Sequence, residues 1–96
     1  MSEGGAAGVF RRTVTICNQK GLHARAAARM VKIAGQFAAE VRVRKNGTEV
    51  SGRSIMGLMM LAAAPGAVIE LSACGGEAEA AVTALARLIE CKFDED

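Results

Sequence analysis

The dipeptide Asn46-Gly47 lies between two segments of alternating apolar and charged residues, and it constrains the fold more than any other feature of the chain. Both residues tolerate positive φ, as a two-residue type I′ turn of a β-hairpin requires. Because such a turn sets the strand register, we expect Val43 opposite Val50 on one face. We expect Arg44 opposite Glu49 on the other face. The hairpin therefore has one apolar face and one charged face, and helices can cover only the apolar one.

The remaining segments alternate between the two-residue period of strands and the 3.6-residue period of helices. Apolar side chains alternate with polar ones in residues 9–17 and 67–74, which predicts two further strands. Helical periodicity is found in residues 24–34, in 54–61 and in the segment that follows Gly75-Gly76. The resulting order is β-α-β-β-α-β-α. It predicts an α+β fold, an open-faced two-layer sandwich with three helices on one face of a four-stranded antiparallel sheet.

Length and composition restrict the domain organisation and the classes of function. The chain has 96 residues, which is enough for one domain. We expect this domain over residues 9–92, between a flexible tail at 1–8 and an acidic tail at 93–96. A net charge of +2 and 3% aromatic residues argue against nucleic-acid binding. Because no apolar run is long enough to cross a bilayer and no secretory signal is found, we expect a cytoplasmic monomer without membrane attachment.

The three cysteines, Cys17, Cys74 and Cys91, are widely spaced and form no Cys-x-x-Cys pair. An odd number of cysteines with this spacing is typical neither of a disulfide framework nor of a zinc site. We therefore expect reduced, buried thiols, with no metal ion and no organic cofactor bound to the chain.

The only histidine, His23, stands at the start of the predicted helix 24–34. Amides in the first turn of a helix have no intrahelical acceptor, and the helix dipole is positive there. An anion attached to this imidazole would meet those donors and the guanidinium of Arg25. The dipole also favours the neutral, nucleophilic form of the ring. Taken alone, a capping role for His23 and a solvated Arg25 are the commoner outcome of such a pattern.

Two motifs favour the chemical role over the capping role. The stretch Gly21-Leu22-His23-Ala24-Arg25, followed by Ala27, closely resembles the active-site signature of the HPr family. This family comprises the histidine-containing phosphocarriers of the bacterial phosphoenolpyruvate-dependent phosphotransferase system. The stretch Arg53-Ser54-Ile55-Met56-Gly57-Leu58-Met59 resembles the regulatory-serine motif of the same family. The distance between the motifs matches the family without gaps, and the resemblance covers about residues 9 to 92.

The resemblance implies a role for individual residues and a carrier rather than an enzyme. His23 would accept a phosphoryl group on Nδ1 from enzyme I and pass it to an enzyme IIA-type protein, with Arg25 helping to hold the group. Ser54 would be phosphorylated by the bifunctional HPr kinase/phosphorylase in bacteria that have it. Partner docking is expected on an exposed apolar patch and its surroundings, formed by Ile55, Met56, Met59, Leu22 and Arg29.

The sequence departs from the family pattern at two positions. Ala26 stands where the family usually has proline, a change that hints at a divergent, nitrogen-related branch. Alanine is a good helix former, so we expect an intact helix. Arg53 stands where lysine is more common and keeps the charge.

Two questions stay open at the level of the sequence. The first is the role, which is either sugar transport or nitrogen-related regulation. The second is an alternative function, a docking module of the same fold that is not phosphorylated. The apolar residues of the helix 54–61 favour docking over a purely structural role, because its core side is already supplied by Leu58, Leu61 and Ala62.

Overall fold

A computed structural model of the chain describes residues 9–95. Its elements follow the order that the sequence predicts. They are β1 (Val9–Thr15), α1 (Ala24–Ala34), β2 (Glu40–Lys45), β3 (Thr48–Ser51), α2 (Ile55–Met60), β4 (Val68–Cys74), α3 (Ala78–Glu90) and a 3₁₀ turn (Lys92–Asp94). The flexible tail that we expected at residues 1–8 lies outside the described residues.

The four strands form one antiparallel sheet in the order β1-β4-β2-β3. Helix α3 packs over β1 and β4, and α1 packs against α2 and α3. On β4 the side chains of Ile69, Leu71 and Ala73 are buried under the helices, as the two-residue period predicts. The predicted fold class, an open-faced sandwich with helices on one face of the sheet, is confirmed.

The hairpin has the predicted register. Asn46 and Gly47 both have positive φ, at 50° and 85°. Val43 pairs with Val50, and Arg44 pairs with Glu49. On the outer face the guanidinium of Arg44 reaches across to β4, where it donates to Glu70 at 3.1 Å.

The end of α2 differs from the prediction. We expected Ala62 to point into the core, but it is exposed, and Ala63 is buried instead. The reason is that Ala62 has a φ of 51°, in the left-handed region. A left-handed residue ends the helix and rotates the following side chain inward.

The prediction that the cysteines are buried is wrong. All three side chains, those of Cys17, Cys74 and Cys91, are exposed and free. Cys74 is the last residue of β4, and Cys91 follows the last residue of α3. Both therefore lie at the ends of elements, where fewer neighbouring side chains shield them from solvent. Across residues 9–95, no helix combines the length and the apolar character needed to cross a bilayer.

The prediction of a tail at residues 93–96 is wrong for the three of these residues that the structure describes. Phe93 is 0% exposed and belongs to the hydrophobic core. It reaches the core through a turn in which Lys92, Phe93 and Asp94 all have φ between 56° and 59°. The missed signal is the spacing of Phe93, which lies four residues after the buried Ile89 and would fall on the apolar stripe of α3 if the helix continued.

Candidate functional site

The loop between β1 and α1 places His23 through contacts with the segment that follows α2. The amide of Leu22 donates to the carbonyl of Ala63 at 2.8 Å. Gly21 has a φ of 66°, and a Cβ at this position would lie 2.5 Å from the same carbonyl oxygen. Only glycine tolerates both the backbone conformation and this close approach. Leu22, which we expected to contribute to partner docking, is only 6% exposed. That prediction is wrong, because the contact with Ala63 directs Leu22 into the core.

His23 is the N-cap residue of α1, with extended backbone angles. Its carbonyl accepts the amide of Ala27 at 2.8 Å, but its side chain makes no capping hydrogen bond. None of the hydrogen bonds within residues 9–95 uses the first-turn amides of Ala24, Arg25 and Ala26. The imidazole is about one quarter exposed. An accessible ring therefore lies beside a helix start whose amide donors are not occupied by it.

A cavity of about 300 Å³ opens beside the imidazole. Its walls carry three cationic side chains, those of Lys20, Arg25 and Arg29, and two carboxylates, those of Asp94 and Glu95. Arg25 is exposed and lies next to His23, as the sequence analysis expected. With three cations against two carboxylates, the cavity has the charge balance expected of an anion-binding site.

One ring nitrogen of His23 has a partner that the sequence analysis did not anticipate. Nε2 is hydrogen-bonded to Oε2 of Glu95. The other carboxylate oxygen, Oε1, accepts from Nδ2 of Asn18 at 3.1 Å. These two hydrogen bonds hold the pKa of Glu95 below its ordinary value, and the bond with His23 has the larger effect. No pattern in the sequence signals this contact, because His23 and Glu95 are 72 residues apart.

Asn18 is a buried polar residue at the base of the site. It is 1% exposed, and its Nδ2 also donates to the carbonyl of Gly21 at 2.8 Å. The same amide group therefore holds the loop before His23 and the carboxylate that contacts the ring. Its Oδ1 has no hydrogen-bond partner within the described residues.

Arg29, which we expected to contribute to docking, contacts the C-terminal segment. Its Nη1 donates to the carbonyl of Phe93 and lies 3.9 Å from Oδ2 of Asp94. The side chain is 39% exposed, so part of it is still accessible from solvent. Arg29 therefore anchors the turn that carries Glu95.

Ser54 caps α2 as predicted. Its Oγ accepts the amide of Gly57 at 2.9 Å, which satisfies one of the free donors of the first turn. Ile55, Met56 and Met59, which we expected at the surface, are exposed. Met60 is exposed too and was not predicted. We call these four residues the methionine patch; it consists of Ile55, Met56, Met59 and Met60.

The fold and this site together describe a protein that presents one accessible imidazole beside a helix start whose first-turn amides have no acceptor within residues 9–95. Comparison with known proteins identifies the family. Residues 10–91 match a family model described as "PTS HPr component phosphorylation site". The phosphocarrier protein HPr of Neisseria meningitidis serogroup A is 48% identical over 87 residues, which cover 91% of this chain and 98% of the relative. The phosphocarrier protein NPr of Shewanella violacea is 43% identical over 86 residues, which cover 90% and 94% of the two chains.

A solved structure agrees with these relatives. The crystal structure of HPr-C-His from Thermoanaerobacter tengcongensis matches with a TM-score of 0.87 and 44% sequence identity, covering 91% of this chain and 98% of that chain. The chain belongs to the HPr family of the phosphotransferase system. This is a family of phosphocarrier proteins rather than of catalytic enzymes, and its partners are other proteins of that system.

Proposed function

We propose that this chain accepts a phosphoryl group on Nδ1 of His23 from phosphorylated enzyme I and transfers it to a histidine of an enzyme IIA-type protein in the cytoplasm. The observation that carries the proposal is the position of the only imidazole, accessible at the start of α1 beside first-turn amides that it does not occupy. A phosphoryl group on this ring would be an anion next to amide donors, the positive end of a helix dipole and the guanidinium of Arg25.

The methionine patch supports docking of the partner proteins. Met56 is 74% exposed and Met60 is 76% exposed, and with their neighbours they form an exposed apolar patch of the kind that marks an interaction site. Methionine is flexible and polarisable, so one patch can adapt to several partners in turn. Transfer between two imidazoles needs an exposed site and a complex that dissociates quickly, and a small adaptable surface meets both needs.

The proposal includes regulation at Ser54 by an HPr kinase/phosphorylase in bacteria that have this enzyme. A phosphorylated Ser54 would carry about −1.5 to −2 charges at the start of α2. The helix dipole tolerates that charge, so the fold is expected to stay intact. The charge would also stand next to Ile55 in the methionine patch, where it opposes the burial of apolar surface under a partner.

The test is phosphorylation with enzyme I and labelled phosphoenolpyruvate. The wild-type chain is expected to acquire acid-labile, alkali-stable label, and His23→Ala is expected to acquire none. Absence of label on the wild-type chain in the presence of an active cognate enzyme I would contradict the proposal. It would favour the alternative of a docking module that is not phosphorylated.

A second variant tests how the phosphoryl group is held. Arg25→Ala is expected to slow labelling about tenfold or more, because a hydrogen bond to a charged group contributes about 1.5–3 kcal/mol. The matched control is Lys32→Ala, which removes the same charge from an exposed position two turns further along α1. Equal rates for the two variants would show that Arg25 acts only through the overall charge.

A further inference from the structure

We infer that Glu95 is a positioning residue for His23, and that its carboxylate selects Nδ1 as the ring nitrogen that receives the phosphoryl group. This inference rests on the proposed phosphorylation of His23 and assigns a function to the second ring nitrogen. Two observations carry it. One is the hydrogen bond between Nε2 of His23 and Oε2 of Glu95. The other is the set of contacts by which the chain holds Glu95 in place.

The direction of the hydrogen bond follows from the chemistry of the two groups. An ionised carboxylate has no proton, so it accepts and Nε2 of His23 donates. Glutamate is ionised at neutral pH even at its ordinary pKa, and the hydrogen bonds from His23 and Asn18 lower the pKa of Glu95 further. A neutral imidazole with its proton on Nε2 has its lone pair on Nδ1. The contact with Glu95 therefore specifies the tautomer in which Nδ1 is the nucleophile.

The position of the carboxylate relative to the ring is set by a buried side chain. Nδ2 of Asn18 donates both to Oε1 of Glu95, at 3.1 Å, and to the carbonyl of Gly21, at 2.8 Å. Gly21 lies two residues before His23, so the same amide group holds both partners of the hydrogen bond. Because Asn18 is 1% exposed, it has little freedom to move.

The backbone that carries Glu95 is anchored as well. Phe93 is buried in the core, and the guanidinium of Arg29 donates to its carbonyl. The amide of Glu95 donates to the carbonyl of Lys92 at 3.0 Å, which closes the turn. Positive φ at consecutive non-glycine residues costs free energy. A strained turn that is held by a buried phenylalanine indicates a built part of the site rather than a fraying end.

The transfer step explains why an anionic partner on Nε2 helps. The lone pair of Nδ1 forms the bond to phosphorus, while the phosphorus–nitrogen bond of the donor histidine breaks and its electron pair returns to the donor ring. The Nε2 proton stays on His23, so the phosphorylated ring is formally an imidazolium. Its positive charge develops next to the carboxylate of Glu95, which stabilises it in the way that a carboxylate stabilises the histidine of a catalytic triad. Lys20 and Arg25 face the same cavity and remain available to the phosphoryl oxygens.

The first measurement concerns the protein before any phosphorylation. Nitrogen-15 NMR of the His23 ring at neutral pH is expected to show a proton on Nε2 that exchanges slowly with water in the wild-type chain. In Glu95→Ala that proton is expected to exchange too fast to be seen. An Nε2 proton that exchanges equally fast in both proteins would contradict the contact, whatever the fate of the phosphoryl group.

The second measurement is the single-turnover rate of labelling by phosphorylated enzyme I. Glu95→Ala is expected to be about tenfold slower than wild type, which is the smaller of the losses seen when a carboxylate that orients a metal-binding histidine is removed. Glu95→Gln keeps an acceptor but loses the charge, so its rate is expected to lie between the two. The matched control is Glu90→Gln, which removes one charge at the exposed end of α3 and is expected to leave the rate unchanged. Melting temperatures of all variants show whether the fold is intact.

The outcomes separate this inference from the proposed function. If the wild-type chain is labelled and Glu95→Ala is labelled equally fast or faster, the positioning role is overturned while the carrier function stands. If the wild-type chain itself takes no label, the proposed function fails, and the positioning role fails with it. A loss of rate in Glu95→Ala that Glu95→Gln partly restores, with an intact fold, supports the inference.

Discussion

Helices α1 and α2 begin with the same backbone conformation, but the side chains of their N-cap residues make different contacts. The residue before each helix, His23 or Ser54, has an extended backbone. Ser54 satisfies its own helix, because its Oγ accepts the amide of Gly57 only three residues away. The ring of His23 makes no such bond and instead contacts Glu95, 72 residues away in the sequence.

The difference shows how one structural position serves two kinds of chemistry. A helix start with a serine cap has used one of its amide donors and gains stability. A helix start without a side-chain cap keeps its donors for an anion, and the side chain beside it must be held by other parts of the chain. At α1 that support comes from the turn around Phe93 and from the buried Asn18.

The largest expected effect is on the free energy of unfolding, when the buried Phe93 in the turn near His23 is replaced. Phe93→Ala is expected to lower the free energy of unfolding by about 3–5 kcal/mol, because it empties a fully buried site in the core. Urea denaturation measures this. The matched control is Phe10→Ala, which makes the same change at a residue that is 38% exposed and is expected to cost far less. In the NMR spectrum of Phe93→Ala the His23 ring signals should move while the Gly57 amide should not. Shifts of equal size at both helix starts would break the comparison.

The next effect concerns the charge at the start of α2. Ser54→Asp is expected to slow phosphoryl transfer from enzyme I about tenfold, because a charge next to the methionine patch opposes docking. Thermal stability should change little, since aspartate is also a good N-cap residue. Single-turnover labelling and a melting curve measure the two effects. Equal transfer rates for Ser54→Asp and wild type would contradict the regulatory role.

A smaller effect separates capping from regulation at the same residue. Ser54→Ala removes the hydrogen bond to Gly57 without adding charge, and it is expected to lower the free energy of unfolding by about 1 kcal/mol. Phosphoryl transfer should be unchanged. A stability equal to that of wild type, measured by denaturation with urea, would mean that Ser54 does not stabilise α2.

The smallest expected effect is on the pH dependence of stability. The pKa of Glu95 is lowered in the folded protein. The stability that its carboxylate contributes is therefore fully present above the ordinary pKa of glutamate, about 4.3, and is lost as the pH falls through the lowered value. The difference in melting temperature between wild type and Glu95→Gln should narrow as the pH falls from about 5 to about 3. A difference that stays constant over this range would show that the carboxylate is not stabilised in the fold.

Features with short sequence separation were predictable. The register of the hairpin follows from Asn46-Gly47 and the alternation on either side of it. The cap of α2 follows from a serine directly before a helical pattern. In both cases the interacting groups are a few residues apart, so the turn or the first helical turn alone brings them together.

The predictions failed for features that depend on contacts between segments far apart in the sequence. Leu22 was expected at the surface and is buried, because the pairing of its amide with Ala63 cannot be inferred from either segment alone. The last residues were expected to be a tail, because three of the four are acidic and a left-handed turn at Phe93 has no signature in the sequence. The contact of His23 with Glu95 depends on that turn.

The sequence by itself determined the layers of this protein and the position of its only imidazole at the start of a helix. Periodicity and turn chemistry involve residues that are only a few positions apart, so they can be recognised directly in the sequence. Only the tertiary structure decided which groups surround that imidazole. Phe93 is buried in the core, and its burial places Glu95 in contact with the ring of His23, which lies 72 residues earlier in the sequence.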